Sequence, residues 1–177
     1  MFTSNLLVIN TATNSIIDRI PVGPETAGLA LDNARGLLYV ATESSSEVKA
    51  VSISSRTIVA STTLGGKPLG VAYSSSSGRV LVANFDLGQV HVLNGGTLTP
   101  AGNITFGWPV HTVRADGNRI SVASWEGSSN WVLDAGSLAV LEQKTYLSPV
   151  DFAIDATNGF LYQISFETNT VVRAVLP

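Results

Sequence analysis

Apolar and polar residues alternate along this chain with a period of two, and no window of helical length shows a period of 3.6. The pattern predicts short strands separated by clusters of Gly, Ser, Asn and Asp. Residues 70–84, GVAYSSSSGRVLVAN, read as one strand, a tight polar turn and a second strand. The same design recurs as GLALDNARGLLYVAT from Gly28, HTVRADGNRISVAS from His111 and DFAIDATNGFLYQIS from Asp151.

The recurrence extends beyond these hairpins. A third strand, first seen at 6–9, returns at 48–51, 90–93, 131–133 and 172–175, at offsets of 42, 42, 40 and 42. A fourth, first seen at 16–22, returns at 57–64, 99–106 and 139–147. A proline follows it at Pro68, Pro109 and Pro149, with Thr26 in the first copy. Four short strands repeating about every 40–45 residues predict a β-propeller, in which each sheet buries its faces against its neighbours. The fold class is therefore all-β: a propeller of four-stranded antiparallel blades, about four repeats in a single domain over 1–177. The units run approximately 6–47, 48–89, 90–129 and 130–170, with 171–175 restarting the unit, and residues 1–5 read as a lead-in. From the channel outward the strands of a blade are a (70–74), b (79–84), c (90–93) and d (99–106).

The segments VINTATNSIIDRIPVG from Val8, GLALDNARGLLYVAT and GKPLGVAYSSSSGRVLVAN from Gly66 resemble the YVTN family of β-propeller repeats. The resemblance covers nearly the whole chain, though the third and fourth copies depart from the hallmark. It implies the propeller fold and, in many cases, a surface-exposed or exported protein. It implies no single activity.

Two leading strands, three sets of four and three final strands make 17, where a four-bladed ring needs about 16. The chain therefore closes alone with one redundant strand, pairs with a second copy, or forms part of a longer ring. The apolar edge at 171–175 is a pairing hazard, which favours association, and a homodimer is the hypothesis that follows.

Composition narrows the function classes. Hydrophobic residues make up 45% and charged residues 13%, which requires a packed core and leaves a surface of Ser, Thr, Asn and Gly. Net charge is −3 and the 10 Lys and Arg are scattered, so no nucleic-acid partner is expected. No apolar run is long enough for a transmembrane segment, and the N-terminus carries no evident signal peptide. The absence of Cys excludes disulfides and thiolate chemistry. No GxSxG elbow, P-loop or dinucleotide fingerprint occurs.

Candidate chemistry falls on the face formed by the d-to-a and b-to-c loops. Strand a is read as opening with Gly28 and Gly70 in two copies, and with His111 and Asp151 in the others. Those two, with Glu126, are the candidate catalytic residues, and His111 and Asp151 the candidate ligands of a divalent cation. The plainer account is a hydrogen-bonded pair satisfying polar groups at the channel. An aromatic–acid dipeptide follows strand b as Phe85-Asp86, Trp125-Glu126 and Phe166-Glu167, with Glu43-Ser44 in the first copy. With Trp108 these form a candidate binding face for a protein or carbohydrate partner. The plainer account there is blade packing. His91 reads as a surface residue and Trp131 as a cover for its sheet. Asp32, Asp116 and Asp155 read as turn residues on the opposite face. The expected function is a non-catalytic binding or assembly module without a resident cofactor, extracellular, periplasmic or at the cell surface. The alternative is a propeller lyase or lactonase using a divalent cation at the channel mouth.

Overall fold

The computed structural model describes residues 4–177, so part of the lead-in, residues 1–3, lies outside the described residues. A hairpin of β1 (Asn5–Asn10) and β2 (Ser15–Pro21) comes first. Blade 1 is β3 (Thr26–Asp32), β4 (Leu37–Thr42), β5 (Glu47–Ser52) and β6 (Ile58–Thr63). Blade 2 is β7 (Pro68–Ser74), β8 (Arg79–Asn84), β9 (Gln89–Asn94) and β10 (Pro100–Thr105). Blade 3 is β11 (Thr112–Asp116), β12 (Arg119–Ser124), β13 (Ser129–Asp134) and β14 (Val140–Thr145). The last sheet, blade 4, has three strands: β15 (Pro149–Asp155), β16 (Phe160–Ser165) and β17 (Thr170–Val175). All sheets are antiparallel meanders, and among the described residues 17 strands fall into sheets of two, four, four, four and three.

Burial follows position in the blade. β8 and β12 are buried at nearly every residue, because both faces of the sheet are covered by neighbouring sheets. The outer strands β6, β10 and β14 are largely exposed. Between blades 1 and 2 the core is built from Tyr39, Ala41 and Val48 against Val71, Val80 and Leu93. Between blades 2 and 3 it is Leu81, Ala83 and Val92 against Val113, Val122 and Leu133. Leu81 and Leu133 are wholly buried, each stabilising the fold by roughly 2 kcal/mol. Trp131 belongs to this inter-blade core and meets Phe106 at 4.7 Å between ring centroids. His91 is not a surface residue. Its ring is half-buried, with Nε2 3.2 Å from Asn84 Nδ2, because strand c is flanked by the neighbouring sheets as well.

The inner strands lie side by side in the order β3, β7, β11, β15. Glycine sets their spacing. A Cβ on Gly28 would stand 2.3 Å from the Leu69 carbonyl oxygen, and one on Gly70 would stand 2.7 Å from that of His111. The pairing register places Thr112, not His111, at the position of Gly28, Gly70 and Asp151. The a–b turn of blade 3 has only two residues, Asp116 pairing directly with Arg119, whereas Asp32 pairs across a four-residue turn with Leu37. His111 thus precedes the strand, and β11 lacks the bulge that opens β3, β7 and β15.

The ring does not close within the described residues. The hairpin β1–β2 packs through Leu6, Ile20 and Val22 on Val40 and Val51 of blade 1, and no ladder joins it to β15–β17. The two ends therefore expose surfaces that are covered inside the arc. Leu29 is 51% exposed, whereas its equivalents Val71 and Val113 are 2% and 0%. At the other end Tyr162, Ile164, Val171 and Val175 are exposed, and Arg173 lies over the Phe160 ring at 4.6 Å.

Candidate functional site

Blades 1, 2 and 4 fasten the loop face with the same backbone bond. In blade 2 the first residue of the b–c turn, Phe85, donates its N–H to Lys67 O, and Phe106 after strand d donates to Gly88 O. Glu43 to Glu25, and Phe166 to Ser148, repeat the first bond in blades 1 and 4. The last residue of strand b adds a side-chain tie. Asn84 Nδ2 donates to Gly65 O while its Oδ1 accepts from Lys67 N, and Ser165 Oγ donates to Leu147 O at 2.5 Å. In the first copy Ser44 Oγ donates to Glu25, and in the fourth Ser148 Oγ donates to Glu167 Oε1 at 2.7 Å.

Blade 3 departs from this pattern. The backbone bond at its strand-a opening runs from His111 N–H to Ala123 O, and Trp108 packs over Gly127, where a Cβ would stand 2.6 Å from the indole Cγ. His111 Nε2 lies 3.0 Å from the Val150 carbonyl oxygen. A carbonyl only accepts, so Nε2 carries the proton. The same oxygen accepts from Thr112 Oγ1 at 3.1 Å. Nδ1 is buried without a hydrogen-bond partner among the described residues. Burial holds the imidazole below its ordinary pKa, against the opposing pull of the Val150 and Pro149 carbonyls, Asp151 and Glu126. His111 is thus a neutral strut between the third and fourth inner strands.

Asp151 engages Arg114 rather than His111. Arg114 Nη2 lies 2.9 Å from each carboxylate oxygen, and Asp151 Oδ1 also accepts from the Phe152 N–H. Among the described residues no three His, Asp or Glu side chains come together in a set that could hold a metal ion. Asp32, on the far face, is fully buried, accepting from Arg35 Nη1 at 2.8 Å and Tyr39 Oη at 3.2 Å.

The aromatic–acid dipeptides occupy the b–c turns, but they do not converge as a trio. Trp125, Glu126, Phe166 and Glu167, with Ser148 and Val150 between them, line an open cleft of about 770 Å³. Phe166 is 75% exposed and Trp125 44%. The indole stacks on the His111 ring at 4.9 Å and 29°. Phe85 is half-buried and stands outside this cleft, as do the exposed Asp86 and Trp108. Sequence spacing marked the recurring dipeptides. Ser148 and Val150 were missed, since only the junction between blades brings them to the cleft.

No known family model matches the sequence, and no curated protein matches it. Solved structures do resemble it. Hydrazine synthase of Kuenenia stuttgartiensis superposes with a TM-score of 0.75 at 16% identity, covering 98% of this chain and 60% of that one. The dihydro-heme d1 dehydrogenase NirN, in complex with DHE, gives 0.75 at 19% identity, covering 98% and 41%. The β-propeller domain of Cps50 (Swd1) from Myceliophteria thermophila gives 0.80 at 8% identity, covering 98% and 59%. The chain thus spans about two fifths to three fifths of these structures. The likeness establishes a β-propeller fold and no more, since two of these names are enzymes' and the third is that of a propeller domain.

Proposed function

We propose that this chain is a non-catalytic binding module that presents the loop face at the junction of blades 3 and 4 to a protein or carbohydrate partner. The observation that carries this reading is the pair of exposed rings, Trp125 and Phe166, facing one open cleft. Large aromatic surface left in water is what a partner covers. His111, Asp151 and Glu126 have structural or solvated surroundings, which favours recognition over acid–base or divalent-metal chemistry. The motif GVAYSSSSGRVLVAN and its copies support kinship with YVTN repeats. The Ser-, Thr- and Asn-rich, weakly charged surface supports work outside the cytoplasm, in the periplasm or at the cell surface. The test is binding to glycan and peptide panels by the chain and by a Trp125→Ala/Phe166→Ala variant. Ligands retained by the double variant place the partner elsewhere.

The ends of the arc support association with a second copy. Leu29 and Leu31 at one end, and Tyr162, Ile164 and Val171 at the other, occupy positions that neighbouring blades cover inside the arc. Two copies joined end to end would cover both surfaces. Light scattering that shows only an 18.5 kDa species at all concentrations removes this part of the reading.

A further inference from the structure

The cleft between Trp125 and Phe166 selects a charge type. Its lining includes two carboxylates, Glu126 and Glu167, and no Lys or Arg. Hydrogen-bond donors are scarce. The Ser148 hydroxyl is committed to Glu167, and that of Ser128 points to the Trp125 carbonyl at 3.5 Å. Apart from the Trp125 indole N–H, the remaining side-chain polar capacity is acceptor oxygen, and the remaining apolar surface is the indole and the phenyl ring. A sugar needs donors as well as acceptors, and an anion is repelled. An alkylated ammonium group donates few or no hydrogen bonds, carries its charge on a greasy surface, and is attracted both by ring faces and by carboxylates. The neutral His111 ring behind Trp125 supports the indole without adding a competing charge.

We propose that this cleft binds an alkylammonium cation, with Trp125 and Phe166 as its walls and Glu126 and Glu167 as its counter-charge. The inference rests on the loop face being the binding face, and it names the chemistry of the ligand. The group belongs either to a small quaternary ammonium compound or to a methylated lysine side chain of a partner protein.

Calorimetric titration of the full chain tests it, with choline, trimethyllysine amide and 3,3-dimethylbutan-1-ol, the neutral isostere of choline. Choline is expected to bind, with the isostere weaker by roughly tenfold and Trp125→Ala and Phe166→Ala each losing about as much. Glu126→Gln and Glu167→Gln lose several-fold, and added salt weakens binding. Phe166 is so exposed that its alanine variant should melt with the wild type, which separates lost binding from lost folding. Choline bound more tightly than trimethyllysine amide supports a free small molecule; the reverse order supports a protein side chain. Equal affinity for the isostere, or no binding of either cation, overturns the proposal. A neutral glycan that binds in their place and is lost in the aromatic variants overturns it too, while leaving the binding face intact.

Discussion

The junction between blades 2 and 3 and the junction between blades 3 and 4 are built from the same strands to opposite effect. In the first, Gly70 lets β7 lie against β11, and the sheets meet through Leu81, Ala83, Val92, Val122 and Leu133. In the second, Thr112 stands in the glycine's place and its hydroxyl joins His111 in bonding Val150 O. Arg114 bridges to Asp151, and Asn130 Nδ2 donates to Gln163 Oε1 at 3.0 Å where the repeat elsewhere has valine. The apolar contact there shrinks to Ala123, Phe152 and Leu161 with a few neighbours. A junction held by directional bonds rather than close packing leaves room between its loops, and that is where the cleft opens. The repeat spends its stability in one place and offers its surface in another.

The largest effect is expected on the tight side. Gly70→Ala forces a methyl group to within 2.7 Å of the His111 carbonyl oxygen and should cost about 3 kcal/mol in urea unfolding. Thr112→Gly, the matching change at the polar junction, should cost only about 1 kcal/mol for its hydrogen bond. Equal costs would remove the distinction between the junctions.

Restoring valine at the polar junction comes next. Asn130 Oδ1 and Gln163 Nε2 are buried without partners among the described residues. Replacing both residues with Val should stabilise the fold by about 1–3 kcal/mol, while either single change leaves a stranded amide and destabilises it. A double variant weaker than both singles would show that the amide pair is better satisfied than its geometry indicates.

Acid should tell on both buried imidazoles. Burial lowers the pKa of His91 and of His111, so the unfolded chain takes up protons first as pH falls through about 6.5. Stability is complete above that value and is lost below it, down to the folded-state pKa values. Urea midpoints between about pH 7.5 and 5.5 check this, with His111→Gln expected to flatten the decline. The smallest effect belongs to Arg114→Ala. Its ion pair with Asp151 is about half exposed, so the cost should stay under about 1 kcal/mol.

The strands and their grouping were legible in the sequence because alternation and turn residues are local properties. LYVAT and VLVAN with polar turns mark their own strands, and the count of 17 is the count observed. The position of His111 was not legible in the same way. The shortened turn at Gly117-Asn118 removes two residues from the third copy, so counting from the motif sets His111 where Thr112 stands. The cleft was half legible. Repetition identified Trp125 and Phe166, but the same repetition placed Phe85 beside them, and only the spacing between particular blades decides which rings share a cavity.

The backbone bonds that fasten the b–c turns of blades 1 and 2 all fall within a single blade: Glu43 to Glu25, Leu64 to Ser46, Phe85 to Lys67 and Phe106 to Gly88. Each of these two units is therefore a cassette whose b–c turn is locked by its own residues. Copying such a unit in a gene adds a blade with its loop geometry already set. Each copy is then free to drift at the one surface that its neighbours do not read.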